Sequence, residues 1–171
     1  GIGFLKGKLN VKALYNAMNS YLVQNSQRMP YDTKNLNITS NLDIGLIKGV
    51  DLNYKLTYGF HQMKMPAFGK TSNLNSWKHE GSLRLPLCKV LSLETLTDYY
   101  HNEIAQKKFK DMFFQDFTLI FKAKHFDLSL AWNNVFNNKS YSYGLNNTLS
   151  SSFSNQDIRG RELMLSFYYK P

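Results

Sequence analysis

Strict alternation of apolar and polar residues is the dominant pattern of the chain, and it is clearest over 35–61. The even positions are mostly apolar, with Leu36, Ile38, Leu42 and Ile44 before a turn and Leu52, Tyr54, Leu56, Tyr58 and Phe60 after it. The odd positions are mostly Asn, Thr, Asp, Lys and Gly. Because successive side chains of a β-strand point to opposite faces, this pattern predicts strands with one apolar and one polar face. The two strands would form a long antiparallel hairpin.

The same alternation recurs along the rest of the chain. A second and a third hairpin are predicted at about 77–99 and 113–132, with a first strand at 8–24 and a closing strand at 157–169. We therefore predict an all-β protein, an antiparallel up-and-down meander of about eight long strands that forms part or all of a transmembrane β-barrel.

The predicted connections alternate in length. Tight turns are expected at Lys48-Gly49, Cys88-Lys89 and Lys124-His125. Long polar links are expected at 25–34, 65–76, 105–112 and 138–156. Short turns at one end and long loops at the other are typical of bacterial outer-membrane barrels. The strands also reach the roughly 9–11 residues that a tilted membrane strand needs, whereas strands of soluble proteins are usually about 5–6 residues long.

Alternation alone does not decide on which side of a barrel the apolar face lies. A membrane barrel is apolar outside, whereas a soluble lipid-binding barrel is apolar inside. Strand length and aromatic rings near the predicted strand ends favour the membrane barrel, because aromatic girdles lie at membrane interfaces. These rings are Tyr58, Phe60, Trp77, Tyr99, Tyr100, Phe113 and Phe114.

Charge and hydropathy exclude two other classes. The mean hydropathy is -0.40, and no apolar run approaches the roughly 18 residues that a membrane-spanning helix needs. The formal net charge of +9 is compatible with a polyanionic partner. Basic residues are scattered singly, however, apart from Lys107, Lys108 and Lys110 in an expected loop, and the chain contains no recognisable nucleic-acid-binding module. We expect no nucleic-acid partner.

Two phrases in the last third carry a resemblance to a known family. They are LSLAWNNVFNNKSY at 128–141 and IRGRELMLSFYYK at 158–170. They resemble the C-terminal end of TonB-dependent outer-membrane receptors, especially the nutrient-importing type common in Bacteroidetes. In that family a strand ends in an Asn-hydrophobic-Phe-Asn phrase, and a closing strand that opens with an Arg-containing phrase finishes the barrel. The rest of the chain shares only the hairpin pattern.

The resemblance implies a location and a role for the chain. Residues 1–171 would be the C-terminal third of a barrel of roughly 22 strands in the bacterial outer membrane, in contact with outer-membrane lipid. The start at Gly1-Ile2-Gly3, without an initiator Met or a signal segment, also favours a piece of a longer protein. The whole protein would import a glycan, a peptide or a metal chelate. Its implied partners are the TonB energy-transducing complex and a surface lipoprotein.

The sequence provides no catalytic, cofactor-binding or metal-binding constellation, so we do not expect an enzyme. His79 and His101 lack the spaced further ligands that a metal site needs, and Asp98 and His101 should point to opposite faces of one strand. The candidate cargo-binding residues lie in the last long link, where rings and amides suit sugars or peptides. They are Tyr141, Tyr143, Asn146 and Asn147.

Other functions remain open at this point. The alternative is a complete small outer-membrane barrel of eight strands with a structural or adhesion role, whose interior would be filled by side chains. The polar face is mostly Asn, Thr, Asp and Gly, which suits a wider lumen better. An outer-membrane enzyme would need paired acid–base groups at the outer rim, and a soluble barrel would need its apolar face turned inward.

Overall fold

The computed structural model describes residues 6–45, 49–105, 107–146 and 151–170. These residues form ten β-strands and one turn of 3-10 helix, Pro66–Phe68. The strands are β1 Lys6–Gln24, β2 Gln27–Gly45, β3 Asp51–Met65, β4 Lys70–Pro86, β5 Leu91–Ala105, β6 Lys108–Lys122, β7 Phe126–Asn133, β8 Ser140–Asn146, β9 Ser151–Asp157 and β10 Glu162–Tyr169. Within the described part of the chain, no helix is long and apolar enough to cross a membrane.

Eight of the strands form one antiparallel sheet in the order β1-β2-β3-β4-β5-β6-β7-β10. The remaining two, β8 and β9, form a separate hairpin that is inserted in the chain between the paired strands β7 and β10. The predicted all-β meander of eight long strands is therefore confirmed. In the described residues β1 and β10 are the two edges, and the sheet is not closed into a barrel.

Three tight turns were predicted at one end of the sheet, and the two whose residues are all described are confirmed. The amide of Cys88 donates to the carbonyl of Leu91 at 3.1 Å, and the amide of Ala123 donates to the carbonyl of Phe126 at 2.8 Å. At the remaining turn, Lys48 lies outside the described residues. Its neighbour Gly49 has a φ of 80°, which glycine adopts without steric cost.

The long polar links expected at the other end are wrong in three cases, because strand pairing continues through most of them. β1 and β2 are joined by the two-residue turn Asn25-Ser26, with φ angles of 51° and 61°, the left-handed geometry that suits a hairpin. The 3-10 turn and Gly69 join β3 to β4. β6 already starts at Lys108, so the expected loop lysines Lys108 and Lys110 lie in a strand.

These strand extensions lack the pattern on which the prediction relied. β1 and β2 stay paired as far as Gln24 and Gln27, although the alternation breaks over 27–34, where Met29 and Tyr31 fall on the otherwise polar face. A strand whose two faces both meet water needs no apolar side, so the alternation disappears while the backbone ladder persists.

The fourth expected link, at 138–156, is also not a loop, because it contains most of the β8–β9 hairpin. The closing strand is shorter than predicted. It begins at Glu162, whereas Asp157 ends β9. The Ser- and Asn-rich segments of this hairpin have little apolar alternation, and their pairing with each other and with the sheet gives them strand structure.

The main sheet has one apolar and one polar face, and the apolar residues form a band near the tight turns. On β3, β4, β5 and β6 this apolar band covers 52–60, 77–85, 91–99 and 113–121. Farther from the tight turns the same face carries polar residues such as Gln62, Lys64, Asn73 and Asp111.

Five of the seven rings expected at a membrane interface lie on the apolar face, toward the polar limit of the band. They are Tyr58, Phe60, Trp77, Tyr99 and Phe113. Tyr100 and Phe114 lie on the polar face instead, because each directly follows a residue of the apolar face in its strand. The register places Tyr58 beside Trp77, with ring centroids 4.4 Å apart.

Within the described residues the apolar face is not covered by another layer. Leu163, Leu165 and Phe167 on β10 are 69%, 69% and 64% exposed. The buried hydrophobic residues of the described part are only Met63 and Met112. The apolar face of the sheet is therefore exposed and does not enclose a core among the described residues.

Candidate functional site

The β8–β9 hairpin folds across the polar face of β5 and is held there by buried side chains. The amide of Asn102 donates to the carbonyl of Ser142 at 3.2 Å and to the hydroxyl of Tyr141 at 3.3 Å. The backbone amide of Ser142 donates to the sulfur of Met112 at 3.1 Å. Asn102, Ser142 and Met112 are all buried. The hairpin is thus fixed to the sheet by contacts between distant parts of the chain.

A buried carboxylate lies where the pairing of β4 with β5 ends. The last residue pair of that ladder is Ser76 with Asn102. Beyond it, Glu103 accepts hydrogen bonds from the backbone amide and side-chain amide of Asn75 at 2.9 and 2.8 Å, and from the amide of Lys107 at 2.8 Å. Glu103 is 5% exposed, and three charge-assisted donors offset its burial. This carboxylate therefore continues the connection between strands that have separated.

The hairpin approaches the sheet closely at Gly144. A Cβ atom at this position would lie 2.5 Å from the carbonyl oxygen of Glu103 and 3.2 Å from side-chain atoms of Leu74. A larger residue would therefore move the hairpin away from the polar face.

An asparagine turn, 134–138, leads from β7 toward the hairpin. The backbone amide of Asn134 donates to the carboxylate of Asp116 at 2.6 Å. The side-chain amide of Asn134 donates to the carbonyls of Asn138 at 2.6 Å and Arg159 at 3.0 Å. Asn134 has a φ of 48°, a conformation that asparagine tolerates better than most residues. The turn thus connects the two phrases on which the family resemblance rests.

Between the hairpin and the sheet lies a groove of about 890 Å³. Residues of β1 to β5 and of β8 and β9 line it, and they are mainly amides, small residues, rings and leucines. The lining consists of Leu14, Asn16, Asn35, Leu36, Asn37, Gly59, Phe60, His61, Leu74, Asn75, Ser76, Asn102, Glu103, Tyr141, Tyr143, Gly144 and Gln156. The Nδ1 atom of His61 contacts the side-chain oxygen of Asn35, and its Nε2 atom is buried without a partner among the described residues.

Two of the four predicted cargo-binding residues line this groove. Tyr141 and Tyr143 lie on β8 with ring centroids 5.6 Å apart, and the hydroxyl of Tyr143 accepts a hydrogen bond from Gln156 at 3.2 Å. Asn146 ends β8, but its side chain and the whole of Asn147 lie outside the described residues. The cargo-binding role of all four residues stays a prediction.

A second cavity lies closer to the tight turns, and its lining includes several charged residues. It measures about 450 Å³ and includes Asp43, Lys55, Glu80, Asp98 and Asp116 in its lining. Lys55 pairs with Glu80 at 2.8 Å. The polar face thus divides into a charged zone near the tight turns and an amide-rich zone under the hairpin.

The His and Asp residues that the sequence analysis considered as candidates for catalysis or metal binding do not lie together in one site in the described part of the chain. No group of three or more His, Cys, Asp and Glu residues there is arranged to hold a metal ion. Asp98 lies on the polar face and His101 on the apolar face. His101 contacts Asp111 at 2.5 Å and stacks on Phe109, beyond the apolar band.

Comparison of the chain with protein-family models, with curated proteins and with solved structures finds no match.

Proposed function

We propose that this chain forms part of the wall of a bacterial outer-membrane β-barrel, in a receptor of the TonB-dependent type that imports a nutrient. The observation that carries the proposal is the apolar band on one face of a sheet whose other face is polar and bears the groove. In this arrangement the apolar face contacts lipid, and the polar face lines the lumen through which the cargo passes.

The dimensions of the band support a membrane location. On four consecutive strands it covers nine residues, as in 52–60 and 113–121, close to the roughly 9–11 residues of a tilted membrane strand. Polar side chains inside the band are paired with one another, which hydrocarbon surroundings require. The hydroxyl of Thr97 donates to Gln115 at 2.6 Å, and the hydroxyl of Tyr54 contacts the Nδ1 atom of His79 at 2.5 Å.

The ends of the strands suggest an orientation. The strands continue past the band only at the end where the β8–β9 hairpin lies, and tight turns close the opposite end. In outer-membrane barrels the short turns face the periplasm. We therefore place the groove on the extracellular side, where cargo would first meet the lumen.

A receptor function also requires partners that this chain does not include. The TonB energy-transducing complex and a surface lipoprotein are proposed from the resemblance of 128–141 and 158–170 alone. The chain described here would contribute wall and cargo contacts, and it would not carry out energised transport by itself.

The alternative is a complete small barrel of eight strands with a structural or adhesion role. In such a barrel β1 and β10 would pair with each other, and side chains would fill the interior. The unpaired edges and the groove of about 890 Å³ on the polar face favour a wall that continues on both sides.

The test is to find the natural protein in fractionated cells with an antibody raised against 141–155. We expect it in the outer membrane, with a gel mobility that changes on heating and a size well above the 19.8 kDa of this chain. A heat-modifiable band near 20 kDa would support the small barrel instead. Absence from the outer membrane would contradict both functions.

A further inference from the structure

We infer that Arg161 and Lys139 bind the phosphate group of an outer-leaflet lipid, where the apolar face of β7 and β10 reaches the extracellular boundary of the membrane. The inference rests on the proposed function, because it requires that this face of the sheet lies in the bilayer. It adds to that function a specific lipid ligand, which contacts the outside of the wall and not the groove.

Arg161 lies at the end of an exposed apolar row. It precedes β10 and is two positions away from Leu163. Its guanidinium carbon lies 5.8 Å from the centroid of the Trp132 ring, which belongs to the apolar face of β7. Long basic side chains at the end of an apolar surface place their charge at the membrane interface, where Trp rings also concentrate. The row on β10 consists of Leu163, Leu165, Phe167 and Tyr169.

The guanidinium group of Arg161 is held in place but keeps free donors. Its Nε atom donates to the carbonyl of Val135 at 3.0 Å, and the backbone amide of Arg161 donates to the side-chain oxygen of Asn137 at 3.0 Å. The two Nη atoms have no hydrogen-bond or ion-pair partner within the described part of the chain. The N–H donors of this planar fork are therefore available, and their geometry matches a phosphate group.

Lys139 provides a second cation next to Arg161. Its aliphatic chain runs beside Gly160, where an added Cβ would lie 3.8 Å from the Cε atom of Lys139 and 2.8 Å from the side-chain oxygen of Asn137. The missing side chain at Gly160 thus lets the asparagine turn approach the start of β10 closely. The two cations therefore extend from neighbouring points of the backbone, and one phosphate group can contact both.

The two nearby carboxylates do not neutralise these cations. Glu162 accepts hydrogen bonds from Arg159 at 3.0 and 3.3 Å. Asp157 ends β9 and forms no ion pair with Lys139 or Arg161 in the residues that the structure describes. A phosphate monoester carries a charge of about −1.5 to −2 at neutral pH, so it complements two unpaired cations.

The surroundings of the two cations suit a lipid better than a soluble phosphate compound. Trp132 and Phe136 are 41% and 58% exposed, and the ring of Phe136 packs against that of Phe113 with centroids 5.3 Å apart. Leu163 and Leu165 continue this surface away from Arg161. Exposed rings and leucines beside the cations give acyl chains an apolar surface to cover. In the proposed orientation this boundary faces the outer leaflet.

Arg28 is a matched control, because it has a similar environment without the membrane position. It is exposed, and its guanidinium carbon lies 4.7 Å from the centroid of the Tyr21 ring. On β2 it is far from Leu36, which pairs with Phe60 at the limit of the apolar band. At about 3.3 Å per residue, the distance along the strand is roughly 25 Å. A lipid phosphate at the level of the band limit would not reach Arg28.

The experiment uses the natural protein, purified from the outer membrane in detergent, and counts bound lipids by native mass spectrometry. The probes are diphosphorylated lipid A, the same lipid A after removal of both phosphates, and inorganic phosphate. We expect the phosphorylated lipid to bind about tenfold more tightly than the dephosphorylated one, which corresponds to about 1.4 kcal/mol. Arg161→Gln combined with Lys139→Gln should abolish this preference, whereas Arg28→Gln should leave it unchanged.

A second variant covers the case in which the double variant does not fold. Arg161→Lys keeps the positive charge but loses the planar fork, so it should bind the phosphorylated lipid more weakly than the natural protein does. A gel mobility that changes on heating shows that each variant is folded. Unchanged binding by folded Arg161→Lys overturns the role of the guanidinium group.

The outcomes separate the inference from the proposed function. Equal binding of the two lipids by a protein that is inserted in the outer membrane, or a preference that survives the double substitution, overturns the inference and leaves the proposed wall intact. Inorganic phosphate that binds these residues as tightly as the lipid does overturns the lipid as the ligand. A natural protein that is absent from the outer membrane overturns the proposed function, and the inference with it.

Discussion

At the scale of single residues, Asn102, Glu103 and Gly144 bring the hairpin and the sheet, which are far apart in the sequence, into contact. Asn102 and Glu103 on β5 hold or border the hairpin, and Gly144 on β8 permits the close approach. An ordinary substitution at any of them removes a hydrogen bond from a buried partner or forces atoms together, and both effects destabilise a packed contact.

Gly144→Ala should loosen the hairpin, because the new Cβ would lie 2.5 Å from the carbonyl oxygen of Glu103. We expect a cost of roughly 1–3 kcal/mol, seen as faster cleavage of the hairpin by an added protease. Gly81→Ala is the matched control, since the nearest atoms to its Cβ would be 3.9 Å away. Equal cleavage of the two variants would contradict the packing described for β8.

The candidate site was predictable from the sequence only in part. The composition around Tyr141 and Tyr143 indicated a polar recognition surface, and both residues line the groove. Asn102, Glu103 and Gly144 were missed, because Asn102 contacts Ser142, Glu103 contacts Asn75 and Gly144 contacts Glu103, and no local pattern records contacts between such distant positions. The same holds for Asn134, whose amide hydrogen bond reaches back to Asp116.

At the scale of elements, the alternation of apolar and polar residues predicted the strands correctly within the apolar band. It failed to predict the parts of the strands that lie outside the band. The hairpin of β2 and β3 followed the predicted parity, with Leu36 opposite Phe60 and Asn37 opposite Gly59. The extension at 27–34 was predicted as a loop because the alternation breaks there, with Met29 and Tyr31 on the otherwise polar face. Periodicity therefore reports where one face of a strand is apolar, and not how long the strand is.

The band makes a testable distinction between neighbouring positions of β6. Phe117 lies on the apolar face and Thr118 on the polar face, opposite Glu94. In a bilayer, Phe117→Lys should cost roughly 2–4 kcal/mol, the typical penalty for a lipid-facing lysine near the midplane. Thr118→Lys should have little effect, because it would face water and a carboxylate. The measurement is the urea midpoint of unfolding from lipid vesicles, and similar midpoints for both variants would contradict the assignment of faces.

At the scale of the whole molecule, the sheet has two open edges and one exposed apolar face. Unpaired backbone groups at β1 and β10 are costly in hydrocarbon, since no water replaces the missing partners. We therefore expect both edges to pair with further strands in the natural barrel. In such a barrel the apolar face would meet lipid along its whole width, and the hairpin would stand inside the lumen above the charged zone.

The most direct test of this account places spin labels on adjacent residues of β3. In a protein in which Cys88→Ser removes the exposed native thiol, one variant carries a label at Leu56→Cys on the apolar face and another at Thr57→Cys on the polar face. In lipid vesicles, the account predicts that the label at 56 is relaxed by dissolved oxygen and shielded from a water-soluble nickel chelate, whereas the label at 57 is far less accessible to oxygen. Free access of the nickel chelate to position 56 would contradict the claim that this face lies in the membrane.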